Sequence, residues 1–457
     1  MKNNIILLSV ATLSLLSGCG IYKSYQPETS VPDNLFREEA PVTDTTSIGN
    51  LDWRELFTDP QLQALIEKGL ENNTDLRTAH LRVQEAEAAL MTSRLAYLPA
   101  LNLTPQGTIS SFDGSKAAKS YQLAASASWE IDIFGRLTNA KRSAQAALEQ
   151  TKSYKQAVRT QLIATIANSY YTLLLLDKQL VISERTASLW KENVQAMQAL
   201  KKAGLANEAA VSQSEANSLS VEASLLTLRQ QINEMENSLS NLLGEVPQRV
   251  ERGNLDRQEF PETLSTGVPL ALLGNRPDVR QAEYSLAQAF YTTNGARSAF
   301  YPNINLSGVA GWTNSGGGII ANPGGLLLQA IGSLTQPLFN KGANIAQLKI
   351  AKAQQEEASL AFQQSILNAG SEVNNALTQW QTARGRITLA DRQIVSLQKA
   401  VKSTQLLMDH GNITYLEVLT AQQSLLQAEL SQASDRFDEI QGVINLYHAL
   451  GDRKSVV

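Results

Sequence analysis

"DLRTAHLRVQEAEAALMTSRLAYLPALNL", residues 75–103, aligns without a gap to "DVRQAEYSLAQAFYTTNGARSAFYPNINL", residues 278–306, at an offset of 203 residues. Asp75 falls on Asp278, Arg77 on Arg280, Arg94 on Arg297, Pro99 on Pro302 and Asn102 on Asn305. Self-similarity over such a distance means that one supersecondary plan is used twice. In each copy a helical pattern stops at a proline, and the residues after it begin to alternate between apolar and polar.

The alternation continues on both sides of a turn. Leu101–Ile109 alternates, "SFDGSKAAK" (111–119) is a polar turn, and "YQLAASASWEIDIF" (121–134) alternates again. In the last stretch one face carries Tyr121, Leu123, Ala125, Ala127, Trp129, Ile131 and Ile133. The other carries Gln122, Ala124, Ser126, Ser128, Glu130, Asp132 and Phe134. Two unlike faces with aromatic ends suit a strand crossing an outer membrane. The sequence therefore predicts a β-hairpin over about 101–133 and its counterpart over about 304–338, joined by "NSGGGIIANPGG". The glycines at 316–318 precede no phosphate-loop lysine and read as an extracellular loop.

Beyond each hairpin the pattern is helical. No proline occurs from 136 to 246, and the first glycine in that range is Gly204. A helix over 136–203 is about 100 Å long at 1.5 Å per residue, far beyond an ordinary globular helix. At an offset of 207, Gly204 falls on Gly411 and Leu243-Gly244 on Leu450-Gly451. Repeat 1 thus covers 59–250: a helix broken near Asn72-Asn73, the hairpin, the long helix, and a helix over about 207–243. A connector follows at 251–275. Repeat 2 covers 276–451 with the same order, its long helix over about 341–409 and its last helix over about 413–450; 452–457 is a tail. Leu173, Leu176, Leu180, Ser183, Ala187, Trp190, Val194 and Met197 keep an alternating spacing of three and four. So do Ala376, Trp380, Ala383, Ile387, Ala390, Ile394, Leu397 and Val401. That period packs helices side by side as coiled coils.

The N-terminus reads as an export and anchoring signal. Lys2 precedes an apolar run from Ile5 to Leu16, too short to span a bilayer. Leu16-Ser17-Gly18-Cys19 resembles the lipobox of bacterial lipoproteins, which implies cleavage after residue 18 and a lipid on Cys19, the only cysteine. Gly20, not Asp, then implies sorting to the outer membrane, and acyl chains supply the anchor. Residues 19–58, with Pro27, Pro32 and Pro41, read as an extended linker. No later stretch reaches 18 apolar residues, so any crossing of a membrane is made by strands.

One chain offers four strands, and four cannot close a barrel. An open edge in lipid leaves backbone groups unpaired. Two copies give eight strands, whose lumen side chains would fill. Three give twelve. The small polar residues Gln122, Ser126 and Ser128 suit a water-filled lumen and favour three.

Several stretches resemble a known family. They are "DWRELFTDPQLQALIEKGLENNTDLR" (52–77), "WEIDIFGRL" (129–137), "GVPLALLGNRPDVRQAE" (267–283), "FYPNINLSG" (300–308), "QPLFNKG" (336–342) and "GNITYLEVLTAQQSLLQAEL" (411–430). In this order and spacing they are similar to the TolC-like outer-membrane efflux channels, in particular the lipidated OprM and CusC type, over nearly the whole mature chain. The resemblance implies a mostly α-helical trimer. Its twelve-stranded β-barrel lies in the outer membrane, and a helical barrel crosses the periplasm. It implies passive export of small molecules, driven by an inner-membrane pump, often of the resistance-nodulation-division type, through a periplasmic adaptor. It places adaptor docking at the tip turns, here Gly204, Leu205 and Asn207, and Gly411, Asn412, Ile413 and Thr414, where Asn412 or Thr414 caps the next helix. It places the periplasmic gate at Leu416, Thr420 and Gln423. The family's charged pair is absent at the last two, so an ionic lock is not expected there. Leu416 also continues a seam with Leu419, and packing is the competing reading.

No enzyme constellation, cofactor motif or basic excess for nucleic acid is present. The chain has 39 basic and 43 acidic residues, and His80, His410 and His448 lack ligand spacing. Met91, Met197, Met235 and Met408 do not cluster into a soft-metal relay. Glu130 and Asp132 read either as a cation-attracting stretch of pore wall or as a solvated face without selectivity. Two rivals to the efflux duct remain: a protein-secretion duct of the same fold, and a coiled-coil lipoprotein acting as a spacer.

Overall fold

The computed structural model describes residues 24–26, 52–115, 117–260, 276–314, 325–410 and 415–451. Its elements are α1 (Trp53–Leu56), α2 (Pro60–Asn72), α3 (Thr74–Leu95), β1 (Ala100–Ser110), β2 (Ala118–Ile131), α4 (Arg136–Lys202) and α5 (Glu208–Leu242), then α6 (Pro277–Ser298), β3 (Asn303–Asn314), β4 (Gly325–Thr335), α7 (Ala343–Asp409) and α8 (Tyr415–Leu450). The repeat is plain in this order. Helices α4 and α7 have 67 residues each. No helix among the described residues is long and apolar enough to cross a membrane.

The chain divides into two compact units. The first draws on residues 1–30, 81–153 and 280–365. It holds one antiparallel sheet in the order β1-β2-β3-β4. In the register, Ser126 lies opposite Asn102 on one side and Val309 on the other. Side chains opposite one another share a face of a sheet. One face therefore collects Leu101, Leu103, Leu123, Trp129, Leu306, Trp312, Leu326 and Leu328. The other is mainly polar: it collects Asn102, Thr104, Gln106, Gln122, Ser126, Ser128, Asn305 and Gln329, together with the apolar Val309, Leu327 and Ile331. Strands β1 and β4 are the edges, and every residue of β1 is exposed. Below the sheet, Val83 and Leu90 of α3 pack with Leu148 of α4. Tyr25 is held here too: its N–H donates to the Tyr291 hydroxyl at 3.2 Å, and its ring meets Phe290 edge-on.

The second unit comprises residues 31–80, 154–279 and 366–457. Its core buries Trp53, Phe57, Leu62, Ile66, Ile163, Ile166 and Tyr170. Residues 52–58, expected as part of the linker, instead open the fold. Asp52 accepts from the Arg54 N–H while Glu55 reaches back to the Asp52 N–H, a capping box around one turn of helix. Trp53, Leu56 and Phe57 then anchor that turn in the core, with Phe57 edge-on to Tyr447 at 5.7 Å. At the break between α2 and α3, Asn73 Oδ1 accepts from the Leu76 N–H and Nδ2 donates to the Leu242 carbonyl. Its side chain thus caps one helix and ties it to another.

The three-four spacing is a buried seam. Leu173, Ser183, Ala187, Trp190 and Met197 of α4 are buried, as are Ala376, Trp380, Ala383, Ala390 and Ile394 of α7. Where α8 crosses α7, Gly442 lies so near Trp380 that a Cβ would stand 2.9 Å from its backbone nitrogen. The two helices approach closely because one contact residue has no side chain. Overpacking of this kind costs about 1–3 kcal/mol. Gly442→Ala is expected to lower the thermal unfolding midpoint followed by circular dichroism at 222 nm. An unchanged midpoint would contradict the close approach.

Candidate functional site

Strand becomes helix within a few residues of Glu130. The alternation expected through residue 133 stops at Ile131, because Asp132 is used otherwise. Its Oδ1 accepts from the Leu137 N–H at 3.0 Å. Its Oδ2 accepts from the Thr138 N–H at 2.8 Å and the Thr138 hydroxyl at 2.6 Å. The first turn of α4 has free N–H groups and a positive dipole end, and a carboxylate satisfies both. Gly135 makes the bend at φ +72°, a conformation that costs other residues energy. Phe134 leaves the strand and stacks on Tyr301, with ring centroids 5.0 Å apart and planes 18° from parallel. The Trp129 indole N–H donates to the Tyr97 carbonyl at 2.9 Å, and the Tyr97 hydroxyl donates to Thr138 Oγ1 at 2.9 Å.

Glu130 stands on the same face as Gln122, Ser126 and Ser128, but its charge is compensated. The Arg136 guanidinium donates to it through Nε at 2.5 Å and through a second N–H as well. Both acids of this stretch therefore have partners: Glu130 an ion pair, Asp132 a helix terminus. The junction after β4 is built without acids, around Lys341 (φ +48°) and Gly342 (φ +81°).

At the far end of α4, Gly204 ends the helix at φ +76°. The Leu205 N–H reaches the Leu200 carbonyl at 2.9 Å and the Gly204 N–H reaches Lys201 at 3.0 Å. This is a Schellman closure, which consumes the orphan carbonyls of the last turn. Asn207 then opens α5 by accepting from the Ala210 N–H at 2.9 Å. The equivalent turn, Gly411, Asn412, Ile413 and Thr414, lies outside the described residues, as does Cys19.

Leu416, Thr420 and Gln423 share one exposed face at the start of α8, as spacings of four and three require. Leu416 is 65% exposed, whereas Val418 and Leu419 are buried. Within the chain Leu416 therefore does not belong to the seam. The Thr420 hydroxyl donates to the Leu416 carbonyl at 2.8 Å and so is satisfied by its own helix. Next to this face α8 is tied to α4. Asn193 Nδ2 donates to Gln422 Oε1 at 2.8 Å, and Arg185 pairs with Glu429.

Two arginine hubs escaped the sequence reading. Arg252 holds Asp177 through two nitrogens, at 2.5 and 3.0 Å, and Glu236 at 2.5 Å. The hydrogen bond to Asp177 foremost, against the opposing effect of burial, raises its pKa above the ordinary arginine value. Arg276, almost wholly buried, joins Asp278 and Glu372 and donates to the Ala449 carbonyl at 2.6 Å. Burial opposes the Asp278 carboxylate, yet Arg276 outweighs it and holds that carboxyl below its usual range. These hubs fasten the connector and the start of repeat 2 to α4, α5, α7 and α8. The only sequence signal was "NRPD" (275–278), with Pro277 at the first position of α6; nothing marks Arg252. No cluster of His, Cys, Asp or Glu that could hold a metal occurs among the described residues.

The chain is 30% identical over 454 residues to the cation efflux system protein CusC of Escherichia coli O157:H7, covering 97% of this chain and 98% of that one. It is 29% identical over 469 residues to the solvent efflux pump outer membrane protein SrpC of Pseudomonas putida, covering 98% of each. A crystal structure of CusC shares the fold with a TM-score of 0.83 at 29% identity, over 94% of this chain and 99% of that one. The outer membrane efflux protein family matches residues 65–245 and 268–452, which takes in both repeats from α2 to the end of α8. Sequence, repeat and fold agree, and the chain belongs to the outer membrane efflux protein family.

Proposed function

We propose that three copies of this chain form an outer-membrane exit duct for small molecules, fed by an inner-membrane pump of the resistance-nodulation-division type through a periplasmic adaptor. One observation carries the reading: a four-stranded sheet with an apolar face, a polar face and two open edges, whose strands continue into 67-residue helices. Three such sheets make a twelve-stranded barrel with lipid outside and water inside. The helices carry the wall on through the periplasm, and a lipid on Cys19 anchors each copy to the same membrane. The duct does no chemistry and needs no cofactor.

Each part has a role in this reading. Gln122, Ser126, Ser128 and Glu130 line the wall, and Asp132 holds the bend at which sheet gives way to helix. The turns at Gly204, Leu205 and Asn207 and at Gly411, Asn412, Ile413 and Thr414 receive the adaptor. Leu416 forms a three-fold apolar ring that closes the periplasmic end by dewetting. Thr420 and Gln423 continue that face without charge. Relatives are named for cations and for solvents. The class carried over is therefore small molecules and ions, with the choice among them made in the pump and adaptor.

Conductance of the purified protein in planar bilayers tests the duct, and its absence would favour a spacer lipoprotein. A deletion strain sensitised to small toxic compounds supports efflux, whereas loss of a secreted protein would favour the secretion duct. Opening the ring by Leu416→Ala is expected to raise single-channel conductance about twofold or more. If conductance is unchanged, Leu416 is not the gate. Arg136→Gln leaves Glu130 uncompensated and is expected to raise the cation-over-anion permeability ratio about twofold at low salt, where screening is weak. The reversal potential in a KCl gradient reads this out, and an unmoved potential would take Glu130 out of the water path.

A further inference from the structure

The two hairpins end in the same way by sequence, at Phe134 in "DIFGRL" and at Phe339 in "PLFNKG". Their surroundings differ. Phe134 is half-buried against Tyr301. Phe339 is 86% exposed, and Leu338 beside it is 93% exposed. The reason is topological. β2 is paired with β3, so the end of β2 meets the beginning of β3, with Ile131 opposite Ile304. Tyr301 stands two residues before β3 and offers its ring there. β4 also ends beside the beginning of β3, with Thr335 opposite Asn303, but that side corresponds to the β1 side of β2; the side of β4 that corresponds to the β3 side of β2 is an open edge.

The repeat shows what is missing. Tyr301 aligns with Leu98, which stands two residues before β1, the other edge of the sheet. Leu98 is 61% exposed and Leu101, in β1, is 77% exposed. If β4 pairs antiparallel with β1 of another copy, the end of β4 must lie beside the beginning of that β1. Two exposed apolar patches then meet at the helix-proximal end of the seam. Lipid is the weaker occupant. At the corresponding level of repeat 1 stand Asp132 and the first N–H groups of α4, which hydrocarbon does not solvate.

We infer that Leu338 and Phe339 pack on Leu98 and Leu101 of the next copy, as the counterpart between copies of the Phe134–Tyr301 stack. The partner is a second copy of this chain, and the contact seals the periplasmic rim of each seam in the barrel. It rests on the three-copy reading above and adds to it the residues that meet.

The test uses the full-length chain, whose only natural cysteine is Cys19. Phe339→Cys and Leu98→Cys are combined in one chain, and membranes are treated with a short bis-maleimide. Copy number is measured in parallel by native mass spectrometry of the untreated double variant. The expected result is a ladder of linked dimers and trimers on a denaturing gel, with each single variant left unlinked. Three copies by mass without linking would overturn the contact while leaving the three-copy reading intact. One copy by mass would overturn both. Independently, Phe339→Ala is expected to lower the temperature at which the detergent-solubilised assembly dissociates, and Phe339→Leu to restore most of the loss. An unchanged dissociation temperature in Phe339→Ala would overturn the contact as well.

Discussion

The unpaired backbone along β1 and β4 governs the rest. In hydrocarbon each orphan N–H or carbonyl costs several kcal/mol, so a sheet that crosses a membrane must have no edge. This sheet has two, on either side of a fully paired β2 and β3. Its apolar and polar faces assign which side meets lipid and which meets water. Closure then has to come from other copies, and the small water-side residues of β2, Ala124, Ser126 and Ser128, suit an open lumen better than a filled one. The repeated hairpin, the paired long helices and the open edges all follow from one plan in which each chain supplies a third of a ring.

Duplication did not leave two identical halves. After β2 the bend is polar: Asp132 caps α4, Arg136 neutralises Glu130, and Gly135 supplies the left-handed residue. After β4 the same bend is apolar and exposed at Leu338 and Phe339. The first junction faces its own chain, where polar groups find fixed partners. The second is tied to its own chain on the β3 side, where Gln336 donates to the Phe300 carbonyl and Asn344 to the Ala299 carbonyl, and is open on the other. Divergence of the halves thus tracks whether the neighbouring repeat is covalently attached.

Periodic features were legible in the sequence because their signals are local. Alternation located the strands, and the long proline-free stretches divided at Gly204 and Gly411 located α4, α5, α7 and α8, whereas α3 stops at Leu95, short of the proline that was expected to end it. Features set by long-range contact were not. Asp132 fits both an alternating strand and a helix cap, and only the positions of Leu137 and Thr138 decide between them. The turn at 53–56 is too short for periodicity to register, and its stability comes from Trp53 and Phe57 reaching a distant core. Arg252 and Arg276 gather acids from separate helices, which no spacing in the chain announces. For Leu416 the sequence allowed both a seam and a gate, since the spacing to Leu419 suits either. Its exposure beside buried Val418 and Leu419 removes the first within the chain.

The open edges are closed by further copies into one water-filled barrel. An electron cryomicroscopy map of the full-length protein in lipid nanodiscs tests it by counting strands around the pore. The expected result is twelve strands from three chains, with β4 of each chain beside β1 of the next. A ring of eight strands, or a sheet whose edges are covered by anything other than another copy, would contradict it.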